Sequence, residues 1–309
     1  PAYQVAEDVQ CVAPNALVGL KGQWEHYVIV GAGKTSFDAC LFLLEKGVNP
    51  DNICWIKPRE SWIWDRACAQ SEDLFETSIR PFSLSQVRSI AESDSLDDLF
   101  TRANAEGLML RIDTNIKPTM FRCATVTQSE IKELRSIKNV IRLGRVQRIE
   151  AGRVLLEQGS FETGAQTLYV DCTADGLARR PPQPVFAGNR VTLQSVRTCQ
   201  QVFSAAFIAH ITLTEHDEAH KNVLCTPVPH PDTDIDYLRN MLADLVNSAA
   251  WQQDQSLYFW MKSSRLDGFS FSASSSPESD AQYLQSMGEY GPIAAEKLMG
   301  YLAEVEKGL

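Results

Sequence analysis

Apolar residues along this chain repeat at two spacings, and the change from one to the other marks out elements. Tyr27-Val28-Ile29-Val30 is an unbroken apolar run of the kind that fills a buried parallel strand. Gly31-Ala32-Gly33 follows at once. A helical spacing then opens at Phe37, Cys40, Leu41 and Leu44, and Gly47 supplies its stop. Past the turn Asn49-Pro50-Asp51-Asn52, the run Ile53-Cys54-Trp55-Ile56 predicts a second strand. Strand, glycine turn, helix and strand here have the size of one βαβ unit.

Residues 71–139 read as mostly helical. Ser95-x-x-Asp98 is an acidic variant of a capping box, with Leu96, Leu99, Phe100 and Ala103 behind it, and Thr127-x-x-Glu130 is a second. The pattern then becomes β: a strand at Val140–Leu143, a hairpin of Val146–Glu150 and Arg153–Leu156 across Ala151-Gly152, and a buried strand at Leu168–Cys172. The proline run Pro181-Pro182-Gln183-Pro184 predicts a boundary. Beyond it the spacing predicts a strand at Val191–Val196, an apolar helix at Val202–Ile211, helices around 234–250 and 292–306, and a serine-rich loop at Ser270–Ser279.

Composition narrows the class. With 309 residues, 44% hydrophobic and 22% charged, the chain has the make-up of one or two ordinary globular domains. No run approaches the roughly 20 apolar residues of a membrane span, and the acidic, polar start is no signal peptide. A net charge of −10 argues against a nucleic-acid partner. The eight cysteines form no Cys-x-x-Cys pair, so most read as buried free thiols in a reducing, cytoplasmic setting.

Gly31-x-Gly33-x-x-Ser36 is where chemistry first becomes legible. Gly31 permits the tight strand-to-helix turn, and Gly33 lets backbone approach a pyrophosphate. The free amides of the helix start then face that anion. Ser36, small like the usual third glycine or alanine, allows close helix–strand packing. At the end of the next strand an NAD site carries a carboxylate for the ribose hydroxyl. This chain has Lys57 and Arg59 there, which attract a 2′-phosphate, and one dissenting charge, Glu60. The expectation is NADP(H) rather than NAD(H).

The stretch Tyr27–Cys40, together with Ile53–Arg66, resembles the NADP-binding domain of FAD/NAD(P)-dependent oxidoreductases of the flavin-containing monooxygenase type. The likeness continues at Leu108–Asp113, Lys117–Met120 and Leu134–Ile137, and resumes at Val170–Gly176. It implies an α/β fold: a Rossmann-like NADP-binding domain at 24–176 with a helical insertion. Residues 1–23 and 177–309 would be part of a second α/β domain of FAD type, ending in helices. It further implies a flavoprotein in which NADPH reduces FAD and oxygen is then activated toward a small-molecule substrate. Carried over by position, Gly31, Gly33, Lys34, Thr35 and Ser36 would hold the pyrophosphate, and Lys57 and Arg59, with Arg66, the 2′-phosphate. Gln194 would touch flavin.

The chain departs from that family in lacking the FAD fingerprint. FAD would then need a further segment or a separate chain, and the initial proline reads as a cut rather than a beginning. Two other readings stay open: a non-redox homologue serving as a nucleotide-binding or interaction module, and a flavoprotein that has lost oxygenase activity. No catalytic residue is assigned. His216 and His220 are spaced for a metal, but Asp217 stands where the zincin pattern needs Glu, so no metal site is expected. Trp55, Trp62 and Trp64 read as packing before adenine stacking, and Asp171 and Asp175 as turn residues.

Overall fold

Strands predicted far apart in the sequence lie side by side in the computed structural model, which describes residues 2–22, 24–175, 180–264, 266–269 and 275–307. Gly176 and residues 270–274 of the expected serine-rich loop fall outside the described residues. The chain is mixed α/β and divides into two units, 1–63 with 111–179 and 64–110 with 180–309. The expected division at 24–176 is corrected in two ways. Residues 1–23 join the first unit because their short strands pair there, and residues 64–110 group with the C-terminal part.

In the first unit five strands form an all-parallel sheet. Its order is Cys11–Val12, Thr167–Asp171, His26–Val30, Ile53–Ile56, Val140–Ile141. Tyr27 pairs with Leu168 on one side and Ile53 on the other, so His26–Val30 is central. Its residues are apolar on both faces because both faces are covered. The helix Lys34–Glu45 buries Phe37, Ala39, Cys40 and Leu43, and Gly47 ends it at φ +82°.

The predicted hairpin forms across Gly152 at φ +73° and acquires a third strand, Gly159–Glu162, which polarity hid from the sequence reading. Gln4–Val5 pairs parallel to Val146–Glu150. Ile149, Val154 and Leu156 from this sheet share one core with Val28, Val30, Cys54, Ile56 and Tyr169 from the parallel sheet. A seven-residue strand, Met120–Val126, replaces part of the expected helical stretch, and the capping box at Thr127 then starts the helix Gln128–Leu134.

The second unit is mainly helical among the described residues, which corrects the expectation of a second α/β layer. The strand expected at Val191–Val196 shrinks to Arg190–Val191 in a two-stranded ribbon with Phe186–Ala187. Val191 and Leu193 are exposed, so the apolar residues on that side of the segment have nothing packed over them, and only Val196 reaches the core. Helices run at Ile79–Glu92, Leu96–Ala105, Gln201–Thr214, Glu218–Leu224, Asp234–Gln252, Gln255–Ser263 and Pro277–Lys307. The last starts fifteen residues before the expected 292, passing through Pro292, which has no N–H for the carbonyl of Gly288. Phe203, Phe207, Ile211, Leu224 and Trp251 fill this unit's core, and Trp251 Nε1 donates to Leu224 O at 2.8 Å.

Six cysteines are free thiols, four of them buried; Cys123 and Cys199 fall outside that set. No helix among the described residues is long and apolar enough to cross a membrane.

Candidate functional site

The glycine turn sits at the carboxyl end of the central strand, between Val30 and the first turn of Lys34–Glu45. Gly31 adopts φ +142°, and a Cβ there would lie 2.7 Å from the carbonyl oxygen of Cys172. Its own amide donates to Ile56 O at 3.0 Å, while Cys172 N donates to Val30 O at 2.8 Å. Two neighbouring strand ends therefore clamp this residue, and only glycine fits.

Gly33 is different. It caps the helix at φ −99°, where any residue is comfortable, and a Cβ there would meet nothing within 4 Å. The fold does not require this glycine, and the space beyond it is open. The carbonyl of Gly33 accepts from Ser36 N at 3.0 Å and Phe37 N at 3.4 Å. The amides of Lys34 and Thr35 come too early in the helix for an intrahelical acceptor, so an oxyanion beyond Gly33 would meet those donors and the positive end of the helix dipole.

The other predicted site residues divide by environment. Ser36 is fully buried and donates its hydroxyl back to Gly33 O at 2.7 Å, so it shapes the turn. Thr35 is exposed, and Lys34 is half-buried with its ammonium on Asp38. Arg59 is exposed.

Lys57 corrects the sequence reading. Its side chain is 1% exposed, and its ammonium is held by both carboxylate oxygens of Glu60 at 2.8 and 2.7 Å. The same ammonium lies 4.7 Å from the centre of the Trp55 ring. Glu60 also accepts from Ile112 N at 3.2 Å, and Arg142 Nη2 lies 3.5 Å from Glu60 and 2.9 Å from Asp113. Burial pulls the Lys57 ammonium below its ordinary pKa, and the Glu60 carboxylate opposes that shift. The charge expected to hook a 2′-phosphate is spent inside the protein. Glu60, the dissenting residue in the sequence, is the reason.

Trp55 belongs to the scaffold: its Nε1 donates to Gly31 O at 2.8 Å and its ring meets Phe37 edge-on at 5.4 Å. Asp171 accepts from both the amide and hydroxyl of Thr173, as a turn residue does. Arg66 and Gln194 belong to the second unit. Arg66 starts a short 3₁₀ turn, and Gln194 binds both backbone groups of Gln183, which occupies the amide expected to meet flavin. His216 and His220 are exposed, with His220 Nδ1 at 2.5 Å from Glu215, and no metal-holding cluster occurs among the described residues.

Sequence reasoning missed Cys172, whose carbonyl fixes Gly31, along with Arg142 and Asp113. Parallel pairing brings the strand ends before Cys172 and Arg142 beside those of His26–Val30 and Ile53–Ile56, and Asp113 joins them through its ion pair with Arg142.

No protein-family model matches the chain, and no solved structure matches it. It is 49% identical over 265 residues to an uncharacterized protein of Mycobacterium bovis and to two of Mycobacterium tuberculosis, one from strain CDC 1551 and one from H37Rv. The match takes in 86% of this chain and 49% of each relative. The chain thus spans about half the length of the curated relatives it matches.

Proposed function

We propose that the first unit is a dinucleotide-binding module that holds the pyrophosphate of NADP(H) at the glycine turn and serves a flavin-dependent oxidoreductase of monooxygenase type. The observation that carries the reading is the contrast between the two glycines. Gly31 is demanded by the fold, whereas Gly33 is demanded by nothing in the protein and faces open space at a helix start.

Strand order supports it. The central strand has Ile53–Ile56 and Val140–Ile141 on one side and Thr167–Asp171 on the other. That is the reversal at which Rossmann-type sheets bind dinucleotides. Of the two basic residues after the second strand, Arg59 is the one exposed to a 2′-phosphate, and Lys57 is a structural charge. A bound nicotinamide supplies hydride; the residues named here bind and orient its carrier.

The flavin half of the proposal rests on the sequence resemblance. Among the described residues one glycine turn joins a strand directly to a helix, so FAD would be held by a further segment or a partner chain. That same single turn favours a second reading, a nucleotide-binding module without redox chemistry.

Equilibrium titration with NADPH and NADH tests the first part. NADPH should bind more tightly, and Arg59→Ala should erase the difference; equal affinities in the parent would overturn the assignment. The visible spectrum of protein supplemented with FAD separates the two readings. A flavin band that NADPH bleaches favours the oxidoreductase, and no bound flavin favours the non-redox module.

A further inference from the structure

A cleft of about 230 Å³ opens at the amino ends of the parallel strands in the first unit, at the other end of the sheet from the glycine turn. A cavity of roughly 150 Å³ holds benzene, so the cleft has room for a six-membered ring with about 80 Å³ over for substituents. Its floor is made by Val28 and Cys54, both buried. Phe161, on the strand Gly159–Glu162, packs toward the same core and walls one side. An apolar floor with a few polar groups around it is the make-up of small-molecule sites.

The polar groups come from four neighbouring strands. Thr167 and His26 open two of them and are register partners, while Asn52 and Asn139 stand immediately before Ile53 and Val140. Adjacent strands lie about 4.8 Å apart, so these side chains succeed one another across the cleft at about that interval. The side chains of His26, Asn52 and Asn139 make no hydrogen bond to the described residues. Gly164 makes room for the imidazole: a Cβ there would lie 2.5 Å from His26 Cδ2, and no positive φ calls for glycine at this position. Thr167 donates its hydroxyl to Gly164 O at 2.6 Å and keeps lone pairs to accept. No lysine or arginine lines the cleft. Asp51 and Glu162 stand exposed at its mouth, and Glu162 is already paired with Arg153 at 3.6 Å.

We infer that this cleft binds a small uncharged six-membered ring bearing several hydroxyl groups, a monosaccharide or a cyclic polyol, through His26, Asn52 and Asn139. A carboxamide both donates and accepts, as a neutral imidazole does, and so does each ring hydroxyl, so the two sets of groups match in kind. The C–H surface of such a ring suits the floor of Val28 and Cys54 and the wall of Phe161. Phosphates and carboxylates find no cationic side chain there and two carboxylates at the mouth. The nucleotide reading concerns the opposite end of the sheet and has no bearing on this site.

Methyl β-glucoside, myo-inositol, cyclohexanol and inositol 1-phosphate, each titrated into the full chain by calorimetry, test the idea. The first two separate a monosaccharide from a cyclic polyol. The tighter of them should bind at least tenfold better than cyclohexanol, which keeps the ring with one hydroxyl, and than inositol 1-phosphate, which adds charge. Asn52→Leu with Asn139→Leu keeps the bulk and removes both carboxamides, so it should weaken that ligand at least tenfold. Should the double variant fold poorly, Asn139→Ala, at an exposed position, should still weaken it at least threefold. No binding of either ring by the parent, either control within tenfold of the better ring, or unaltered affinity in both variants would each overturn the inference.

Discussion

Replacing Gly33 with aspartate separates folding from binding. Gly33 is the N-cap of Lys34–Glu45 and has no side chain to cap with. Aspartate is a preferred residue at that position, gaining a few tenths of a kcal/mol over glycine as a cap and about 0.3–1 kcal/mol from the helix dipole. The new Cβ meets nothing within 4 Å and φ is ordinary, so no strain offsets the gain. Stability to urea should therefore stay level or rise by about 1 kcal/mol. The carboxylate would stand where a pyrophosphate approaches. Two unit charges about 4 Å apart repel by about 4 kcal/mol at an effective dielectric constant near 20. At 1.4 kcal/mol per decade, that is roughly a thousandfold loss of affinity. Urea melts and NADPH titration on the same preparation read both effects, and Gly33→Ser, which caps without charge, should lose less. An aspartate variant that folds normally and binds NADPH within threefold of the parent would refute the placement of the anion site.

Gly31→Ala should behave oppositely: positive φ and a carbonyl at 2.7 Å predict a loss of about 3 kcal/mol in urea unfolding, whatever ligand is present. Lys57→Ala leaves the Glu60 carboxylate buried opposite no ammonium and should cost about 3–5 kcal/mol by the same measurement, a folding defect rather than a change in cofactor preference. At the exposed start of Glu218–Leu224, the amide of Asp217, the ring of His220 and the amide of His216 hold the Glu215 carboxyl down to about 2 from 4.5. Because this pKa is depressed by folding, its contribution is full above pH 4.5 and is lost as pH falls toward 2. A carbon-detected NMR titration should place the midpoint near 2, and His220→Ala should raise it.

The βαβ unit was legible because its signals are local: an apolar run, two glycines and a helical spacing within a short stretch. The capping boxes and the Gly152 hairpin were legible for the same reason. What stayed hidden depends on neighbours remote in sequence. Met120–Val126 contains arginine, cysteine and threonine at half-buried positions and shows no clean alternation. Lys57 and Arg59 look equivalent as letters, yet one is enclosed by Glu60 and Trp55 and the other faces water. The helix through Pro292 was cut short in the reading because proline normally marks a helix start or a break. The cavity of the second unit that Trp64, Phe82, Arg197, Asp244, Phe269 and Tyr283 line draws on six stretches of chain and has no motif at all.

The central position of His26–Val30 also sets an order of events in time. Its partner Ile53–Ile56 emerges from the ribosome soon after it, but its other neighbour, Thr167–Asp171, does not. Cys11–Val12 waits longer still, since it pairs only with that late strand. At about 5–20 residues per second, the interval between making the central strand and its second partner is on the order of ten seconds. During synthesis the apolar edge of Val28 and Val30 therefore stands open, and the clamp on Gly31 cannot close until Cys172 has been made. Anion binding at the turn should be one of the last properties of the first unit to appear, dependent on a strand encoded far from the glycines that announce it.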